Sequence, residues 1–228
     1  AYLRRNQEDV LDELPPMIQS LDWVDGSAAD LAHYRDAVRS GRFMAMRRAA
    51  YAAGPGHSAK LERLADIAEE AANEGLKLVV FSYFRDVLAV VHAALSEVLP
   101  GAVFGPLTGS VAPAERQRVV DDLTAHRGGA ALISQIEAGG VGLNIQAASV
   151  VVLCEPQWKP TIESQAIARC HRMGQVRRVQ VHRLLMDDSV DERMLEILTG
   201  KQQLIDQFVR GSAIKDASEH AVDVSDLA

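Results

Sequence analysis

From residue 58 onward, short apolar runs alternate with stretches of helical periodicity, and this alternation constrains the fold more than any other feature. Residues 77–82 (KLVVFS), 102–107, 130–134, 149–154 and 179–186 read as strands. Between them, 58–75, 84–98, 113–126, 161–172 and 189–198 read as helices. Ser58 is a cap for the first, which carries Leu61, Leu64, Ala65, Ala68 and Ala72 on one stripe and closes at Gly75. Pro113 suits a first helical turn, and Ser189 with Glu192 spells a capping box. Strands and helices joined by short loops predict a parallel sheet between helical layers, a three-layer α/β/α sandwich.

The first quarter of the chain follows another rhythm. A short helix is expected up to Leu14, then a Pro15-Pro16 break and an extended stretch over residues 17–23. Ser27 and Asp30 form a second capping-box signature, opening a helix to about Arg39. Residues 40–57 read as a basic linker rich in Ala and Met, ending in Gly-Pro-Gly. Residues 201–228 hold a final helix near 201–210 and an acidic tail with little to bury.

Composition narrows the class. With 228 residues and 48% hydrophobic content, the chain can build one sizeable α/β domain with an appendage. No apolar run approaches the ~20 residues that span a bilayer, so no membrane partner is expected. No signal peptide is visible, and a chain that opens on Ala1 reads as an excised fragment. Cys154 and Cys170 lack metal-ligand spacing and read as buried thiols, so no metal site and a reduced, cytoplasmic setting are expected. A net charge of −7 argues against indiscriminate nucleic-acid binding. Yet residues 164–186 hold five arginines (Arg169, Arg172, Arg177, Arg178, Arg183), two histidines and no acid. Such a window is either a solvated helix face or an anion site.

Four groups of residues carry chemistry. On a helix over 161–172, Gln165, Arg169 and Arg172 fall at i, i+4 and i+7 and share a face. Ile162, Ala166, Cys170 and Met173 form the apolar stripe beside it. The guanidiniums suit a phosphate, or an Asp or Glu elsewhere in the fold. The second group, Ala138-Gly139-Gly140-Val141-Gly142-Leu143-Asn144, is a ligand-approaching loop or only a tight strand exit. The third, Thr108-Gly109-Ser110, precedes the helix carrying Arg116 and reads as a phosphate-sized site or a helix cap. The fourth is Trp158, set between Pro156 and Pro160 at a strand's carboxyl end. That context favours an exposed, rigid loop over a core position. The chain contains no G-x-x-x-x-G-K-[ST] cradle, and Asp187-Asp188 read as turn residues.

Residues 132–175, from the AGGVGLN loop through W-x-P to QAIARCHRMGQ, strongly resemble the last two motifs of the switch/sucrose-non-fermenting family of helicase-like DNA translocases. KLVVFSYF resembles the motif opening that family's second RecA-like lobe, and LTGSVAPAER the next one. LRRNQEDVLDELPP is similar to the segment closing the first lobe. VQVHRLLMDDSVDERMLEIL matches the elements that finish the second. Two positions depart: Lys159 stands where Asn is usual, and Glu137 where a basic or small residue is common.

The resemblance implies a RecA-like second lobe over residues 58–200, preceded by the end of a first lobe (1–26) and a helical linker (27–57). It implies a DNA-dependent ATPase in the full-length protein, using ATP and Mg²⁺ held mainly by the first lobe, and a fragment inactive alone. Arg169 and Arg172 would be arginine fingers and Gln165 would position water or phosphate. Gly140, Gly142 and Asn144 would line the nucleotide side. Thr108, Gly109, Ser110, Arg116, Ser134, Trp158 and Ser82 would face double-stranded DNA. The location would be nucleoid or nuclear, according to the kind of cell. Without its first lobe, the stretch 17–23 would be displaced, or would self-associate through an open edge. A non-enzymatic DNA or protein docking module is the competing reading. An RNA helicase lobe fits poorly, because those proteins usually place Arg at the position of Gln175.

Overall fold

The computed structural model describes residues 14–138 and 143–203. The expected helix before Leu14, Gly140, Gly142 and most of the segment 201–228 lie outside the described residues. The elements run β1 (Met17–Val24), α1 (Ala28–Arg39), α2 (Phe43–Met46), a 3₁₀ turn (Ala49–Tyr51), α3 (Ala59–Asn73) and β2 (Lys77–Ser82). They continue through α4 (Arg85–Val98), β3 (Val103–Leu107), α5 (Pro113–Ala125), β4 (Ala130–Gln135), β5 (Val150–Leu153), α6 (Pro160–Ile167) and β6 (Val179–Met186). Residues 190–203 form a carboxyl-terminal helix, longer than the sequence suggests.

The six strands make one sheet, ordered β1-β6-β5-β2-β4-β3 with every pair parallel. The three middle strands are buried along almost their whole length, which is why their sequences read as continuous apolar runs rather than alternations. With this strand order, the right-handed crossover rule for parallel strands sets α4 on one face and α5 and α6 on the other, consistent with the expected α/β/α sandwich. α3 joins α4, burying Leu61, Leu64, Ile67 and Ala68 against β2 and β6.

Helices start at Ser27, Ser58 and Pro113 as expected, whereas Ser189 accepts from Asp191 N at 3.2 Å and Glu192 from Asp188 N at 2.9 Å, so the expected reciprocal box is not formed there. The Ser27 hydroxyl accepts from Asp30 N at 3.0 Å while Asp30 accepts from Ser27 N at 3.1 Å. Ser58 Oγ accepts from Leu61 N at 3.3 Å. Such caps satisfy backbone donors that a first turn leaves open.

Three features differ from the sequence reading. The stretch placed with a preceding lobe is here an edge strand of this sheet, paired with β6 from Met17↔Val179 to Val24↔Met186. Asp22 fixes the pairing by accepting from Arg63 at 2.7 Å and bonding His182 Nδ1 at 3.0 Å. Burial works to raise the Asp22 carboxyl, but Arg63, Ser20 and His182 hold it below the ordinary value. Among the described residues no strand pairs with the outer side of β1, and Ile18 and Leu21 are each 48% exposed.

Secondly, residues 40–57 are more than a connection. Arg47, Ala49, Ala50 and Tyr51 are buried, and the Tyr51 hydroxyl donates to Cys154 O at 2.6 Å. Thirdly, the helix expected to reach Arg172 stops at Ile167. Beyond it the backbone turns through three-residue bonds, Arg169 N to Ala166 O at 3.2 Å and Cys170 N to Ile167 O at 2.9 Å, and the Arg169 and Cys170 carbonyls accept from Ile145 N at 2.9 Å and Gln175 Nε2 at 3.2 Å. Met173, assigned to the apolar stripe, is 61% exposed as a result.

Candidate functional site

Parallel strands all end at one edge, where loops gather. There the structure assembles most of the residues expected to meet nucleic acid. After β3, Thr108 Oγ1 lies 2.8 Å from Ser110 Oγ, and Arg116 Nη2 donates to Gly109 O at 2.9 Å. Gly109 and Ser110 are exposed, so this loop offers a hydroxyl and backbone at the surface, braced by a guanidinium.

Trp158 emerges from the end of β5 with 41% of its surface exposed, as its flanking prolines imply. Its ring packs 5.2 Å from Phe43, and Lys201 Nζ sits 5.5 Å above it while donating to Trp158 O at 2.7 Å.

Ser82 and Ser134 occupy the same edge but are fully buried. Ser82 Oγ donates to Glu155 at 3.0 Å and accepts from Phe84 N at 3.0 Å; Ser134 Oγ donates to Gln135 O at 3.2 Å. Both hydroxyls are spent inside the fold, which counts against their expected contact with DNA.

Glu155 is a group the sequence reading missed. Its carboxylate accepts from Tyr83 N at 2.6 Å and Gln157 Nε2 at 3.2 Å. Burial pushes its pKa up to about 7, against the opposing pull of the Tyr83 and Ser82 donors and of the Arg47 and Lys60 charges. Gln135 is another: Nε2 donates to Tyr83 O at 3.2 Å, while Oε1 accepts from Gly109 N at 3.4 Å, joining two loops. Neither belongs to a periodic pattern; apart from Gln157, the hydrogen-bond partners of these side chains lie 26 to 73 residues away in sequence.

The expected nucleotide-side residues sit elsewhere, on segments that lead into β5 and β6. Gln165 is exposed on α6, Arg172 is exposed on the turns beyond it, and Asn144 donates to Gln146 Oε1 at 3.0 Å. Arg169 is half-buried with its guanidinium 5.8 Å from the Phe81 ring, and burial lowers its pKa. The common helical face is therefore not formed: Gln165 is helical, whereas Arg169 and Arg172 belong to turns.

Buried Gln175 organises this second group. Its Nε2 donates to Gln146 O at 3.1 Å, Ala148 O at 3.1 Å and Cys170 O at 3.2 Å, and Oε1 accepts from Arg177 N at 3.0 Å. Of the basic window, Arg183 is neutralised by Glu163 at 2.8 Å, just outside the acid-free stretch. Arg172, Arg177 and Arg178 are exposed. The two groups approach each other at Phe81, which precedes Ser82 on β2 and carries the Arg169 guanidinium 5.8 Å from its ring.

Comparison with known proteins decides the family. The description of the helicase conserved C-terminal domain matches residues 59–174, which contain both groups. This chain belongs to that helicase family. Its relatives are of the SNF2 type. Over 127 residues it is 40% identical to the DNA repair protein RAD5 of Gibberella zeae, covering 56% of this chain and 11% of that protein. Over 149 residues it is 36% identical to the helicase-like transcription factor of Homo sapiens, covering 64% of this chain and 14% of that one. The fold matches the crystal structure of the C-terminal part of the Fun30 ATPase domain with a TM-score of 0.71 at 18% identity. That match covers 81% of this chain and 89% of the other. The helicase C-terminal domain thus spans about a seventh or less of the curated relatives described. Relatives named for DNA repair and transcription give no support to the cytoplasmic setting expected from the thiols.

Proposed function

We propose that this helicase domain is the C-terminal motor lobe of an ATP-dependent double-stranded DNA translocase, inactive until a first RecA-like lobe completes the nucleotide pocket. The observation that carries the reading is that both groups present exposed donors. Exposed Gly109, Ser110 and Trp158 lie at the strand ends, while exposed Arg172 lies beyond α6.

The donor chemistry fits a nucleotide. Arg172 offers an exposed, always-charged fork suited to phosphate oxygens, with Arg169 set back against Phe81. Gln165 is exposed on α6, where it can orient water. Bound ATP supplies the phosphoryl group whose hydrolysis drives the motor. Preorganised guanidiniums stabilise the charge that spreads over its oxygens, commonly worth ~10³–10⁵ in rate. Among the described residues, no cluster of His, Cys, Asp or Glu could hold a metal ion. Mg²⁺ would be held by the first lobe. Contacts at the strand ends address phosphate and groove, so binding should be independent of sequence and weakened by salt.

The test is DNA-stimulated ATP hydrolysis, measured for this chain alone and joined to a first lobe. Activity should appear only in the joined protein. There Arg172→Ala should lower turnover by ~10³ while duplex affinity stays within about twofold. Comparable hydrolysis by the isolated chain, or full turnover in Arg172→Ala, would reject the assignment.

A non-enzymatic docking module remains the second reading, favoured by a cavity of about 660 Å³ lined by Met17, Leu21, Ile167, Leu195 and Leu198. The joined protein discriminates here too, since a docking module gives no DNA-stimulated turnover.

A further inference from the structure

We propose that Arg47 is a positioning residue for the nucleic-acid face, holding the Trp158 loop in register with the Thr108-Gly109-Ser110 loop. The inference rests on the reading of those loops as duplex contacts. It concerns a segment, residues 40–57, in which the sequence shows only a basic linker.

Arg47 is 2% exposed. Its Nη2 donates to Pro156 O at 2.7 Å, and its guanidinium lies 5.2 Å from the Phe84 ring and 5.8 Å from the Tyr83 ring. Among the described residues, no carboxylate forms an ion pair with it, although the Glu155 and Asp191 charges favour it from farther off, and its buried Nε has no acceptor. Burial accordingly lowers its pKa. Such a charge is an expensive way to fill space. A methionine would occupy much of the same volume without that penalty, so packing alone does not account for the guanidinium.

What the side chain connects does account for it. Pro156 stands two residues before Trp158, so the Arg47 bond fixes the loop's backbone at its root. Phe43, one helical turn earlier on α2, packs on the Trp158 ring itself at 5.2 Å. The same short helix therefore grips the loop by its backbone and by its indole. On its other side, Arg47 stacks against Tyr83, whose carbonyl accepts from Gln135, which in turn accepts from Gly109. One line of contacts runs from the root of the Trp158 loop to the phosphate-sized loop after β3. Duplex phosphates are spaced regularly, so two backbone-contacting loops bind together only when their separation is held. Arg47 is the tie between them.

The experiment uses this chain with Trp23→Phe, which leaves Trp158 as its one tryptophan. Acrylamide quenching of Trp158 reports the loop, and anisotropy of a short fluorescein-labelled duplex at low salt reports binding. Arg47→Met should increase quenching and weaken duplex binding about tenfold. Arg47→Lys, which keeps a donor for Pro156 O, should recover most of both. Phe43→Ala should increase quenching with a smaller loss of binding. Circular dichroism and Tm check that each variant folds.

A folded Arg47→Met with unchanged quenching or unchanged binding overturns the proposal. So does Arg47→Lys behaving like Arg47→Met. If Arg47→Met fails to fold, Arg47→Lys and Phe43→Ala decide, and wild-type quenching and binding in Phe43→Ala with full loss in Arg47→Lys overturns it. Trp158→Ala separates the two readings: if it leaves duplex binding intact, the assignment of the loop to DNA fails, while quenching still reports whether Arg47 holds it.

Discussion

Lys60 and Asp191 form an ion pair sealed inside the fold, with Nζ to Oδ2 at 2.6 Å and side chains 0% and 4% exposed. The pair locks α3 to the start of the carboxyl-terminal helix. Lys60 Nζ also donates to Cys154 O at 3.2 Å, and Asp191 accepts from Met186 N at 3.0 Å. Removing one partner strands the other charge in an apolar setting. Asp191→Ala should cost about 3–5 kcal/mol of unfolding free energy, whereas Lys60→Met with Asp191→Leu should recover much of it. Urea denaturation of the single and double variants measures both.

Glu155 gives a pH dependence of defined sign. Its folded pKa is about 7 against an ordinary value of 4.5, so the folded state binds the proton more tightly than the unfolded one. The associated stability is fully present below pH 4.5 and lost as pH rises through 7. Glu155→Gln keeps an acceptor for Tyr83 N and removes the titration. Its unfolding free energy should exceed that of the wild type by on the order of 3 kcal/mol at pH 8, with the gap shrinking toward pH 5. A gap that does not change with pH would contradict this account.

Gln175 holds three carbonyls with one amide. Gln175→Ala should destabilise the chain by about 2–4 kcal/mol, because those acceptors stay buried without a donor. Gln175→Glu, close in shape but lacking the donors, should be no better than Ala. Thermal melts of the two variants check the order.

Gly129 lies against α3. A Cβ there would come within 2.4 Å of Ala72 Cα and 2.7 Å of Ala72 Cβ. Gly129→Ala should therefore cost about 1–3 kcal/mol through overpacking against backbone, despite adding only a methyl. Gly129→Ala combined with Ala72→Gly should recover part of that loss, measured by the same melts.

Much of the fold is legible because its determinants are local. KLVVFS and SVVVLC are apolar on both faces since both faces of a central parallel strand are covered. Ser27 with Asp30 and Ser58 with Leu61 act within four residues, so their caps can be read directly. Trp158 shows its exposure through its flanking prolines. Arg169 and Arg172 read as sharing a helical face with Gln165, a face the fold does not form. Periodicity extends the helix through them, and only the folded backbone, with Arg169 N bonded to Ala166 O and Cys170 N to Ile167 O, shows that it stops.

By itself, the sequence determined the order of strands and helices, the helix starts, and the motifs that carry the family. Periodicity, capping and turn chemistry are encoded within a few residues of where they act. The tertiary structure decided that Met17–Val24 completes this sheet, that Ser82 and Ser134 face inward, and that Arg47 ties the Trp158 loop to the strand ends. Those outcomes depend on which distant carbonyl or carboxylate each side chain meets, and only the folded chain brings such partners within hydrogen-bond reach.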